Sequence, residues 1–205
     1  MKMKRIIMVA AIAGLFALAP GCGAKHSGEG AGFPSFLDAL GQLEDVGRGD
    51  GIVALVKSTV PILGADPAAL DQAEYGFAYM ANTGEYRKDV VVFGISGFLD
   101  IAVLDNKVSA ANYYLSEHAD VYDQDEIALL DNVISEYGSP GSVLYQGEPL
   151  DGIERIKDAY REEDSLSSVQ YDCLWEDIGG SGHSFCLEKE FSVFQNRNLS
   201  HYIFS

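Results

Sequence analysis

Past residue 32 the apolar residues fall first at helical intervals. Phe36, Leu37, Leu40 and Leu43 line one face of a helix, and a second stripe, Ile52, Val53 and Val56, runs towards Pro61. This predicts two helices joined at Gly47-Arg48-Gly49-Asp50-Gly51. Asp66-Pro67 predicts a third, shorter helix, with Asp66 as N-cap and Pro67 in the first helical position. From Tyr75 the period shortens to two: Tyr75, Phe77 and Tyr79 alternate with small residues, Asn82-Thr83-Gly84 can turn the chain, and residues 90–93 are β-branched and apolar. Residues 98–104 and 108–115 flank Asp105-Asn106, a pair that tolerates the positive φ of a two-residue hairpin turn.

Asp125, Glu126, Ile127, Leu130, Ile134, Tyr137, Gly138 and Pro140 spell a helix from acidic start to Gly-Pro stop. A short strand at 143–145 and an amphipathic turn or two marked by Ile153, Ile156 and Tyr160 follow, and strands resume at 169–175, 184–193 and 202–204. Strands, helix and more strands in this order predict an α+β fold, an antiparallel sheet of hairpins with helices packed on one face. Residues 33–205 are enough for one core, and no internal repeat or long linker divides them, so a single domain is expected.

The N-terminus follows a different pattern. Lys2, Lys4 and Arg5 precede an apolar run of about 14 residues, too short for the roughly 20 that span a membrane, and Ala19-Pro20-Gly21 leads to Cys22. This stretch resembles a bacterial lipoprotein signal, although Ala19 stands where that family more often has Leu. The resemblance implies removal of residues 1–21 and a lipid, palmitate included, on Cys22. Residues 22–32, with glycines at 23, 28, 30 and 32, then form a flexible tether that wanders on the order of 15 to 20 Å. Gly23, in place of an aspartate after the lipidated cysteine, favours the outer membrane by the same resemblance. Cleavage after Ala19, giving a secreted protein, is the alternative.

Loss of Lys2, Lys4 and Arg5 takes the formal charge from −17 to about −20. So acidic a surface repels nucleic acid and anionic headgroups, which removes nucleic acid as a partner and favours cations or simple solubility. Residues 125–194, with their helix, tryptophan-bearing strand and closing hairpin, faintly resemble small periplasmic lipoproteins that assist outer-membrane barrel assembly. That likeness implies a fold class.

Once Cys22 carries lipid, Cys173 and Cys186 are left for each other. With Gly179-Gly180 as a two-residue hairpin turn the register places Cys173 opposite Cys186, and a cross-strand disulfide follows, closing a loop of about 14 residues worth roughly 3 kcal/mol. Their spacing is too wide for a redox Cys-x-x-Cys pair. The same register sets Glu176 across from His183, an acid and imidazole pair able to do proton chemistry. Glu117, His118, Asp120, Asp123, Asp125 and Glu126 crowd a short stretch whose oxygens suit Ca²⁺, with Asp120, Asp123, Asp125 and Glu126 as ligands, although the order is not that of an EF-hand.

Other chemistry fails on spacing. Gly94-Ile95-Ser96-Gly97-Phe98 starts like a nucleophile elbow but has Phe98 where glycine is needed, and no phosphate loop or zinc-spaced histidine pair occurs. Arg48-Gly49-Asp50 is an adhesion tripeptide that chance also supplies, and Tyr75, Tyr79, Tyr86, Tyr113, Tyr114 and Tyr122 suit either a binding groove or half-buried strands. The sequence therefore points to a membrane-anchored envelope lipoprotein, with no catalytic residue assigned, that binds an envelope protein as accessory or scaffold. A secreted or envelope hydrolase and a calcium-binding surface protein are the alternatives.

Overall fold

The computed structural model describes residues 32–118, 125–162, 169–192 and 197–205. Four α-helices occur among them, α1 (Phe33–Gly41), α2 (Arg48–Thr59), α3 (Asp125–Tyr137) and α4 (Glu154–Glu162). The strands are β1 (Ala78–Met80), β2 (Glu85–Val92), β3 (Ile95–Leu104), β4 (Lys107–His118), β5 (Ser142–Tyr145), β6 (Glu148–Pro149), β7 (Tyr171–Trp175), β8 (Phe185–Ser192) and β9 (Arg197–Phe204). All nine pair antiparallel in one sheet, in the order β1-β2-β3-β4-β9-β8-β7-β5-β6, so the class is mixed α+β. The last strand in the chain sits centrally and joins two locally built halves.

The alternation of strand residues decides what is buried. Leu99, Ile101, Tyr113, Leu115, Leu187 and Tyr202 share one face and are at most 1% exposed. Trp175 stacks on Phe185 at 5.6 Å and Phe185 on Phe204 at 4.8 Å, so aromatic rings continue this core across β7, β8 and β9. Towards the other end of the same face the buried positions turn polar, at Lys189, Asn198 and Ser200.

The local signals act as their chemistry requires. Asp105 and Asn106 hold φ of 52° and 57° between β3 and β4, the left-handed pair of a two-residue turn. Gly138, at φ 82°, ends α3 and donates to the Ile134 carbonyl at 2.8 Å, while the Gly138 carbonyl accepts from Trp175 Nε1 at 2.9 Å. Asp66 caps as expected, accepting from Ala68 N at 2.9 Å, but the helix it starts, Pro67–Asp71, is 3-10.

Phe93 belongs to the β2–β3 turn. Its φ is 60°, unfavourable for a bulky side chain, and its N–H donates to the Leu43 carbonyl at 2.9 Å while Gly94 N donates to Glu44 at 2.6 Å. Its ring presses on α2 where a Cβ at Gly51 would come within 2.4 Å, which explains a glycine inside that helix. The expected Gly-rich joint is accordingly shorter: α2 already begins at Arg48.

The hairpin of β7 and β8 corrects one expectation. Gly179 and Gly180 lie in a 3-10 turn, Ile178–Gly180, inside a longer loop, and the last pair before it is Trp175 with Phe185. Cys173 therefore faces Leu187 and Cys186 faces Leu174, one residue away from the expected register. A one-residue shift sends the two side chains to opposite faces of the sheet, and both cysteines are free thiols.

Candidate functional site

Between α1 and β2 lies a groove of about 820 Å³. Its α1 wall carries Pro34, Leu37, Asp38 and Gly41, and Glu44 extends it. Lys88, Asp89, Val90 and Val91 of β2 form the opposite wall, Ser96 and Gly97 of β3 lie beyond, and Glu74 and Tyr75 close one end. The α1 wall stands where it does because Phe33, Phe36 and Leu40 are buried, and Phe33 meets Phe77 edge-on at 6.5 Å.

The groove is acidic. Asp38, Glu44, Glu74 and Asp89 line it against a single cation, Lys88, whose Nζ donates to the Tyr75 carbonyl at 2.8 Å and lies 5.9 Å from the centre of the Phe77 ring. None of the four carboxylates joins an ion pair among the described residues. Four carboxylates around one lysine, along apolar Leu37, Val90 and Val91, leave an acidic surface that favours a cationic, partly apolar ligand.

One wall is also an open sheet edge. β1 covers only Glu85, Tyr86 and Arg87 of β2, which leaves residues 88–92 without a strand partner on that side among the described residues. The Phe93-Gly94 turn sets the alternation: Val92, Val90 and Lys88 exchange hydrogen bonds with β3, whereas the N–H and C=O of Asp89 and Val91 point outward.

A buried charge cluster lies elsewhere. Arg48 donates to Glu126 at 2.7 Å, Lys189 reaches the same carboxylate oxygen at 3.4 Å, and the Tyr171 hydroxyl donates to the other oxygen. Burial, with the Glu126 charge beside it, pushes the Tyr171 phenol well above its ordinary value. Enclosed by α2, α3, β7 and β8, this cluster fixes elements to one another. It also removes Arg48 from any adhesive reading of Arg48-Gly49-Asp50, since its side chain is 5% exposed.

The outer face of the sheet carries a partnered row. Arg87 grips Asp100 through two bonds of 2.7 and 2.6 Å and lies 3.8 Å over the Phe98 ring, which stacks on Tyr114 at 4.9 Å, and Tyr114 meets His201 at 4.8 Å. Beside it Asp172 faces Glu188 directly across β7 and β8, and burial together with Glu188 and Glu190 raises the Asp172 carboxyl.

The sequence candidates separate in space. Glu126 is fully buried in the ion cluster and so is no loop ligand for Ca²⁺, a correction that follows from its place in the first turn of α3. Asp120 and Asp123 lie outside the described residues, Asp125 is the first residue of α3, and no group of three or more His, Cys, Asp or Glu gathers to hold a metal among the described residues. Glu176 is exposed in the β7–β8 loop and forms no hydrogen bond or ion pair with His183, because that loop is not the expected two-residue turn. Cys22 lies outside the described residues.

The tyrosines disperse: Tyr113 is in the core with its hydroxyl 2.9 Å from Thr59, Tyr86 bonds Asp71, Tyr114 is on the outer face, Tyr75 reaches the groove, and Tyr122 is outside the described residues. The groove went unread in the sequence because its walls come from segments far apart in the chain. The truncated pairing of β2 has no signature of its own. No protein-family model, curated protein or solved structure matches the chain.

Proposed function

We propose that this protein is a lipid-anchored envelope protein that works by binding, through the groove between α1 and β2. The observation that carries the reading is the groove itself, about 820 Å³ with four carboxylates over apolar walls and one lysine already engaged. The anchor rests on Cys22 and the signal before it, and the acidic charge keeps a tethered domain off anionic headgroups. The helices cover the face of Leu99, Tyr113 and Tyr202, so that ligands meet the groove and the opposite face.

Two measurements test this. Intact mass of the chain purified from bacterial membranes is expected to show a start at Cys22 with added lipid; a lipid-free chain overturns the anchoring. Amide spectra of the full chain, titrated in turn with a basic peptide, spermidine, a dodecyl ammonium and Ca²⁺, are expected to shift at residues 37–41 and 88–91 for at least one. Shifts that arise nowhere, or only away from the groove, overturn the binding site.

A further inference from the structure

The open edge and the groove belong to one surface, and together they specify more than a cationic ligand. We propose that the groove takes an extended peptide segment, mixed basic and apolar, which adds as a strand beside residues 88–92 of β2; this rests on the binding role given to the same groove.

Three observations converge. The outward N–H and C=O groups of Asp89 and Val91 have no partner among the described residues and form the template for an added strand. Residues 88–92 span about 17 Å at the rise of a strand, room for a partner of five or six residues. An added strand projects side chains alternately to either face. Those on the α1 side reach Leu37 beside Asp38 and Glu44, and those on the other side run past Asp89 and Val91. Val91 is 39% exposed, a large apolar side chain left partly open to solvent at this edge. Basic side chains are selected because the rim offers carboxylates, and backbone pairing makes the recognition tolerant of which apolar residues lie between them.

The structure supplies two clean variants. Val91→Pro removes an outward N–H without touching the bonds to β3, since proline is accepted on the solvent side of an edge strand. A Cβ at Gly41 meets nothing within 4 Å and Gly41 lines the groove, so Gly41→Trp introduces bulk on the α1 wall from an open position.

The test uses fluorescence anisotropy on the full chain with a labelled Arg-Val-Arg-Val-Arg-Val peptide, its Glu-Val counterpart, and an Arg-Val peptide N-methylated at alternate residues. Saturable binding of the first alone is expected, weakened about tenfold by Val91→Pro, the value of about one backbone hydrogen bond, and at least as much by Gly41→Trp. Equal binding of the methylated peptide, or no effect of Val91→Pro, reduces the interaction to charge and overturns strand addition. Spermidine or the dodecyl ammonium shifting the groove while no peptide binds leaves the binding role standing and overturns this inference, as does a chain that consumes the edge by pairing with a second copy.

Discussion

Arg48 in the first turn of α2 and Glu126 in the first turn of α3 meet at 2.7 Å with side chains only 5% and 0% exposed. A carboxylate so enclosed is tolerable because Arg48, Lys189 and the Tyr171 hydroxyl all approach it. Glu126→Ala is expected to destabilise the protein by about 3 to 5 kcal/mol, because two cations lose a shared partner inside the fold. Urea unfolding measures this. A loss under about 1 kcal/mol would show the cluster to be solvated.

Gly97 offers a purely steric test. A Cβ there would lie 2.0 Å from the Tyr114 carbonyl oxygen, a backbone atom that cannot step aside. Gly97→Ala should cost about 1 to 3 kcal/mol and raise hydrogen exchange along β3 and β4. Gly41→Ala, where nothing lies within 4 Å, is the matched substitution expected to be neutral or mildly stabilising.

Asp172 and Glu188 repel across the sheet. Because burial and its acidic neighbours raise the Asp172 carboxyl, its neutral form is favoured in the fold, and the stability linked to that proton is present below the ordinary value of 3.8 and lost as pH rises through the folded value. Asp172→Asn is therefore expected to stabilise at pH 7, by about 0.5 to 1 kcal/mol, with the gain vanishing at acid pH. Paired urea titrations at pH 7 and pH 3.5 read both halves of the expectation.

Buried acids of another kind set the alkaline limit. Burial pushes the Cys173 and Cys186 thiols up to about 12 from 9.0, and burial raises the Tyr113 and Tyr171 phenols from 10.0. Each is held neutral in the fold, so its contribution is complete below 9 to 10 and declines as pH climbs towards the folded values, with a slope of about 1.4 kcal/mol per pH unit for each enclosed group. The urea midpoint should hold steady from pH 7 to 8.5 and fall beyond about pH 9.5. A midpoint flat to pH 11 would contradict the burial of these groups.

The thiols themselves are distinguishable. Cys186 is half-buried on the outer face and Cys173 is buried in the core, so slow maleimide labelling at pH 7.5 should reach Cys186 first and Cys173 only on unfolding. A native chain already two mass units light, with no labelling in urea, would require β8 to slip by one residue.

What could be read beforehand divides along physical lines. Asp105-Asn106, Asp66-Pro67 and Gly138 act through chemistry confined to a few neighbouring residues, and each behaves in the fold as it reads in the chain. β9 is longer than its apolar residues indicate because Asn198 and Ser200 occupy inner positions at the polar end of the core, so alternation of apolar residues is silent there. The β7–β8 register departs from the one Gly179-Gly180 predicts because their positive φ belongs to a wider loop with Asp177 and Gly182. Of the groove's residues the sequence offers Tyr75 as a binding candidate, Ser96 and Gly97 only in an elbow pattern that fails, and Leu37, Leu40, Val90 and Val91 only as helix or strand positions; that they face one another depends on tertiary neighbours that no local pattern encodes.

The two ends of the sheet differ in a way that limits assembly. At one end β6 is only Glu148 and Pro149, the proline offers no N–H, and Leu150 N closes onto the Val143 carbonyl at 2.9 Å. At the other, residues 88–92 stand open. Among the described residues, then, pairing room lies at the margin of β1 and β2, and little is left at the margin of β6. Growth of a filament by strand addition needs both margins of a sheet, and the short, proline-bearing β6 works against it at one of them.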